Sequence, residues 1–152
     1  MAHTTIDEID QKIMRLLQED GRRPFTEVAA LAGVSEGTVR NRVARLTEDG
    51  VLRIVGIADP YRLGYNAPAI VGVEVEPGLI EAAAEAIGKF EEVSYLVLTA
   101  GSFDLLVEVF TRDNEHFTHF LTKKLHLVEG VRRTETFFIL RSYKLAFRWG
   151  MV

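Results

Sequence analysis

The chain has 152 residues, 47% apolar and 26% charged, with no cysteine; this is the profile of a globular protein of one domain or two small ones, and it excludes disulfides, thiolate nucleophiles and Cys-type zinc sites. Its 18 basic and 22 acidic residues leave a net charge of −4, shared as −2 over residues 1–60 and −2 over the rest, which excludes a protein that coats nucleic acid or anionic membrane through bulk charge. No window approaches the ~18 apolar residues of a membrane span, and MAHTTIDEID lacks the basic and apolar regions of a secretory leader, so a cytoplasmic address and no membrane partner are expected.

Residues 6–20 place Ile9, Ile13, Leu16 and Leu17 on one helical stripe, with Asp7 as N-cap and Gly21 as stop. After the turn GRRP, residues 25–32 repeat the spacing with Phe25, Val28, Ala29 and Ala32, and Gly33 ends the segment. Ser35 then caps a third helix, 36–49, with Val39, Val43 and Leu46 on one side. Three short helices, the last two joined by Gly-Val-Ser, resemble a helix-turn-helix, whose second member docks in the DNA major groove. Gly50 closes the third helix, VLRIVGIAD (51–59) is expected to form a short strand as a wing, and DPYRLGYNAP (59–68) reads as a linker.

Beyond the linker the pattern alternates: a strand at 69–76, a helix at 79–90, strands at 93–99 and 103–110, a helix at 114–125 and a strand at 131–140. The order βαββαβ predicts a ferredoxin-like antiparallel sheet with both helices on one face. The fold class is therefore α+β, with domains expected at 1–58 and 69–152. Strands 93–99 and 103–110 are apolar at nearly every position. An open sheet face tolerates water only when polar, so a subunit contact through the sheet is expected.

Opposite Val39, Val43 and Leu46, the third helix carries Gly37, Thr38, Arg40, Asn41, Ala44 and Arg45, with Arg42 on the flank. Small residues allow close approach to base edges, and Arg and Asn supply bidentate donors for guanine and adenine. The competing reading of these residues alone is a solvated face of paired charges; the preceding helix and turn favour DNA. Thr38, Arg40 and Asn41 are expected to reach bases, and Arg42 and Arg45 phosphates.

The loop TAGSFD (99–104) has the makings of an effector site. Gly101 lets backbone N–H groups approach a ligand, Thr99 and Ser102 offer hydroxyls, and Asp104 is an anion suited to an ammonium group. Thr134 and Thr136 share one strand face and could complete the pocket. The alternative is a β-turn in which Asp104 caps a backbone N–H. His116, His119 and His126 lack metal-ligand spacing, so no metal or cofactor is expected. No nucleophile is paired with a base, and no enzyme is expected. The run YKLAFRWGM around Trp149 reads either as a tail that packs on a neighbour or as a mobile end.

The chain resembles the leucine-responsive regulator/asparagine-regulator (Lrp/AsnC, feast/famine) family of transcription factors. The resemblance runs through Ile6-Asp7-x-x-Asp10-x-x-Ile13, Gly33-Val34-Ser35, Arg42-Val43-x-Arg45-Leu46, Gly50-Val51-Leu52, Asp59-Pro60-x-x-Leu63-Gly64-Tyr65, Gly101-Ser102-Phe103-Asp104 and Gly130-Val131-x-x-Thr134-x-Thr136. It implies a winged helix-turn-helix joined to a RAM-type ferredoxin-like domain that oligomerises and binds small molecules, often amino acids. It further implies dimers assembling into octamers, with ligand held between subunits near the loop of Phe103. The expected function is sequence-specific, effector-responsive regulation on double-stranded operator DNA, Ser35 and Gly37 shaping the start of the reading helix. A metabolite-binding module without DNA binding, or an enzyme on the same fold, are the rivals.

Overall fold

The computed structural model describes residues 5–144, and they divide into two compact units, the first running to Ile57 and taking in Lys144, the second Ala58–Tyr143. The first unit holds α1 (Glu8–Glu19), α2 (Phe25–Ala32) and α3 (Glu36–Glu48). Asp7 and Asp10 open α1 with a reciprocal capping box, each carboxylate accepting the other's backbone N–H. Gly33 ends α2 at φ +75°, a conformation that costs any residue with a Cβ. Ser35 restarts the chain by accepting the Thr38 N–H. Ile13, Leu17, Val28, Ala29, Val39, Val43, Leu46 and Leu52 close a small core among the three helices.

The expected wing is not a strand. Residues 51–59 join no ladder; Leu52 anchors in the core while Val51, Ile54, Val55 and Ile57 are exposed. A strand is held by cross-strand hydrogen bonds, and among the described residues the first unit has no strand to supply them.

The expected linker is largely ordered. Asp59 Oδ1 accepts the Tyr61 N–H, the Tyr65 N–H returns to the Pro60 carbonyl, and Gly64 turns the chain at φ +88°. Its last two residues already belong to β1 (Ala67–Val75), which starts earlier than expected. α4 (Ile80–Ile87), β2 (Val93–Leu98), β3 (Leu105–Thr111), α5 (Asn114–Lys123) and β4 (Val131–Phe138) follow, with a 3₁₀ turn at Leu125–Leu127. The strands are ordered β2-β3-β1-β4 with every neighbour antiparallel, the ferredoxin-like arrangement.

Both helices lie on one face, where Val71, Val73, Val107 and Val109 meet Ala83, Ile87, Phe117 and Phe120. The other face carries Ile70, Tyr95 and Phe137 in the open. The tail around Trp149 lies outside the described residues.

Candidate nucleic-acid interface and effector region

The amphipathic reading of α3 holds. Val39, Val43 and Leu46 are buried, and Gly37, Arg40, Asn41 and Ala44 on the far side are exposed. Ser35 serves the cap, with its Oγ also 2.9 Å from the Thr38 hydroxyl. Arg40 reaches back to Glu36 at 2.7 Å, and its guanidinium lies 5.7 Å from the centroid of the Phe25 ring. Among the described residues Asn41 makes no side-chain hydrogen bond.

Arg42 and Arg45 have partners that spacing along α3 does not reveal. Arg42 Nη1 donates to Asp7 Oδ2 at 2.5 Å and to both Asp10 oxygens at 3.2 Å. Arg45 Nη2 donates to Asp10 Oδ2 at 2.5 Å. Asp10 is wholly buried between the helices, so the pair ties the start of α1 to the middle of α3. The Asp10 backbone N–H and then the Arg42 guanidinium hold the Asp7 carboxyl below the usual carboxylate range. Asp7 in turn pushes Arg42 above its ordinary value. All three arginines of α3 are thus paired within the chain. The available signal was an acid at the N-cap of α1 and another one turn on, facing the same way.

The loop after β2 is held by its own polar groups. Thr99 donates its hydroxyl to the Phe103 carbonyl at 2.6 Å and its N–H to the Asp104 carbonyl. Asp104 donates its N–H to the Val73 carbonyl, and its Oδ2 accepts the Val75 N–H at 2.8 Å. Gly101 and Ser102 stand exposed at the tip. Phe103 lies on the open sheet face, over Gly72 and 6.2 Å from the Phe137 ring. Thr134 and Thr136 pair with Val73 and Val71, so they share the helix-covered face. Within one chain Phe103 and the two threonines therefore fall on opposite faces. Thr134 Oγ1 lies 2.8 Å from His126 Nε2, beside a cavity of about 320 Å³ that Val131 and Arg133 also line. Gly72 escaped the sequence reading, because its close approach to Phe103 is a tertiary contact.

His116 is engaged in structure. Its Nδ1 accepts the Arg112 N–H, so Nε2 carries the proton and donates to Glu92 Oε1 at 3.2 Å. Lys124 Nζ meets the same oxygen at 2.6 Å. Burial pushes the Glu92 carboxyl up, but the Lys124 and His116 hydrogen bonds and its own backbone outweigh burial and hold it below the usual range. Among the described residues no group of three His, Cys, Asp or Glu side chains could hold a metal.

A helix-turn-helix with an exposed polar arc on its third helix, followed by a ferredoxin-like unit with a loop and cavity at its sheet, is the build of a DNA-binding regulator. The chain belongs to the Lrp/AsnC family of helix-turn-helix transcriptional regulators: residues 6–47 match the AsnC-type helix-turn-helix domain and residues 68–148 the Lrp/AsnC ligand binding domain. The family is one of regulators, not enzymes. An HTH-type transcriptional regulator from Pyrococcus horikoshii is 38% identical over 146 residues, 95% of this chain and 90% of the relative. LrpA from the same organism is 35% identical over 140 residues, 91% of this chain and 99% of the relative. The crystal structure of a Neisseria meningitidis transcriptional regulator in its L-Met complex has the same fold, with TM-score 0.88 at 24% identity and 97% of each chain covered.

Proposed function

We propose that the protein reads operator DNA through Gly37, Thr38, Arg40 and Asn41 on α3, with Arg42 and Arg45 reaching phosphates from its flank and Ser35 fixing the helix start. The observation that carries this reading is the exposed arc of Gly37, Arg40, Asn41 and Ala44 directly opposite a buried stripe. Gly and Ala let the helix backbone approach the groove, and Asn41 holds free donor and acceptor groups for an adenine edge.

The effector in this reading is an amino acid, as in the Neisseria neighbour solved with L-Met. Its site includes Thr99, Gly101, Ser102, Phe103 and Asp104, with Thr134 and Thr136 supplied across a subunit boundary, since one chain holds Phe103 on the open face and the two threonines on the helix-covered one. Among the described residues Oδ2 of Asp104 is engaged by the Val75 N–H, which leaves Oδ1 for an ammonium group. The working unit is a homodimer assembling toward an octamer. The exposed Ile54, Val55 and Ile57 and the open-face Tyr95 and Phe137 support association. Ligand then acts by preferring one assembly over another. The relatives are archaeal and bacterial, whose DNA lies in the cytoplasm, and the protein's work belongs there.

The test is titration of labelled duplexes from the gene's own upstream region against a scrambled duplex. A preference of about a thousandfold or more supports the reading; equal, weak binding to both leaves a metabolite-binding assembly module. Asn41→Ala should relax preference at one base position by about 1–3 kcal/mol.

A further inference from the structure

We propose that Asp7 restrains DNA affinity by competing with backbone phosphate for Arg42. The proposal rests on the DNA reading of α3 and adds a residue from a different helix to what sets its strength.

Arg42 is shared between two unlike acids. Asp10 is wholly buried and its oxygens accept from the Asp7 N–H as well as from Arg42 and Arg45, so release of these bonds would strand a charge out of reach of water. Asp7 is different, because 45% of its side chain is exposed, beside an Arg42 that is 29% exposed. An ion pair open to water on one side exchanges partners readily, and a phosphate oxygen offers a guanidinium the same charge-assisted geometry as a carboxylate.

Asp7 and Asp10 against Arg42 and Arg45 make a neutral group, and Arg40 is cancelled by Glu36. The salt-dependent part of DNA affinity scales with the number of phosphates neutralised. A neutral cluster contributes nothing to it until an acid lets go, and Asp7 is the acid placed to do so. Its carboxylate is also held in its charged form by the Asp10 N–H and by Arg42 itself. It therefore acts as a standing competitor across the physiological pH range.

The experiment uses Asp7→Asn in the full chain, with Asp7→Ser beside it. Asn and Ser both serve as N-caps, so α1 keeps its start while the charge is removed. Affinity is measured for operator and scrambled duplexes from about 50 to 200 mM salt. Both variants should bind both duplexes about 5- to 10-fold tighter at low salt, with a log–log slope steeper by about 1 and an unchanged specificity ratio. In a double variant with Arg42→Ala the gain should vanish, because the two residues act as one pair. Unchanged affinity and slope in variants that keep the wild-type circular dichroism would overturn the proposal. Weaker binding would also overturn it, since Asp7 would then be aiming Arg42 at the phosphate rather than withholding it. A wild-type chain that binds no duplex overturns the proposal together with the reading it rests on, and is told apart by the absence of any complex before mutation.

Discussion

Phe103 is seated on Gly72: a Cβ at Gly72 would stand 2.6 Å from the Phe103 ring. Only a residue without a side chain lets the loop after β2 fold down onto the open sheet face, where Phe103 meets Phe137 edge to face. Gly72→Ala should lift the ring, costing about 1–3 kcal/mol of stability as an overpacked contact. The effector response should be lost with the loop geometry. Urea unfolding and calorimetric titration with amino acids check both; a stable variant with wild-type ligand affinity would show that the seat is dispensable.

Asp10→Ala removes the shared partner of Arg42 and Arg45 from a fully buried position. Arg45 Nε already lies buried without a partner, so the arginine depends on its one bonded nitrogen. The expected loss is about 1–3 kcal/mol, the penalty for leaving the part-buried Arg45 donor unpaired while Arg42 keeps only Asp7. Amide exchange should show α1 and α3 opening more readily while protection in β1 and β3 is unchanged. Equal protection throughout would mean the helices are held by Ile13, Val39 and Leu46 alone.

Glu92 links the second unit to acid pH. Its folded carboxyl sits below the usual range through Lys124 and His116 despite burial. The stabilisation is therefore complete above the ordinary glutamate value of about 4.3 and drains away as pH falls through the lowered folded value. Glu92→Gln should lower stability at neutral pH and flatten the curve below about pH 4. Thermal midpoints measured from neutral to acid pH test this, and parallel curves for the two proteins would contradict it.

Val55 is 63% exposed in a segment with no strand partner of its own. If that segment joins two copies, Val55→Asp should shift sedimentation toward smaller species at low protein concentration and leave helix content unchanged. An undisturbed size distribution would move the contact to the sheet face of Tyr95 and Phe137.

What could be read along the chain was whatever its neighbours in sequence decide. The limits of α1, α2 and α3 follow from Asp7, Gly33 and Ser35, whose effects reach three or four residues. The βαββαβ order was equally legible, because alternation and helical spacing are local. The wing was not, since a strand exists only against a partner and 51–59 has none among the described residues of the unit. The role of Arg42 and Arg45 was hidden because their acids lie 32–35 residues away. The placement of Thr134 and Thr136 together on one face was correct from their spacing. Their separation from Phe103 needed the sheet register.

The unpaired stretch after α3 has a consequence for the cell. On the dimer reading, Ile54, Val55 and Ile57 leave water only when two chains meet, so the amount of DNA-competent protein at low abundance rises with the square of the number of chains made. Doubling expression would then raise the competent pool about fourfold by mass action. Such a regulator responds to its own dosage as well as to its effector, and silences itself when diluted by growth.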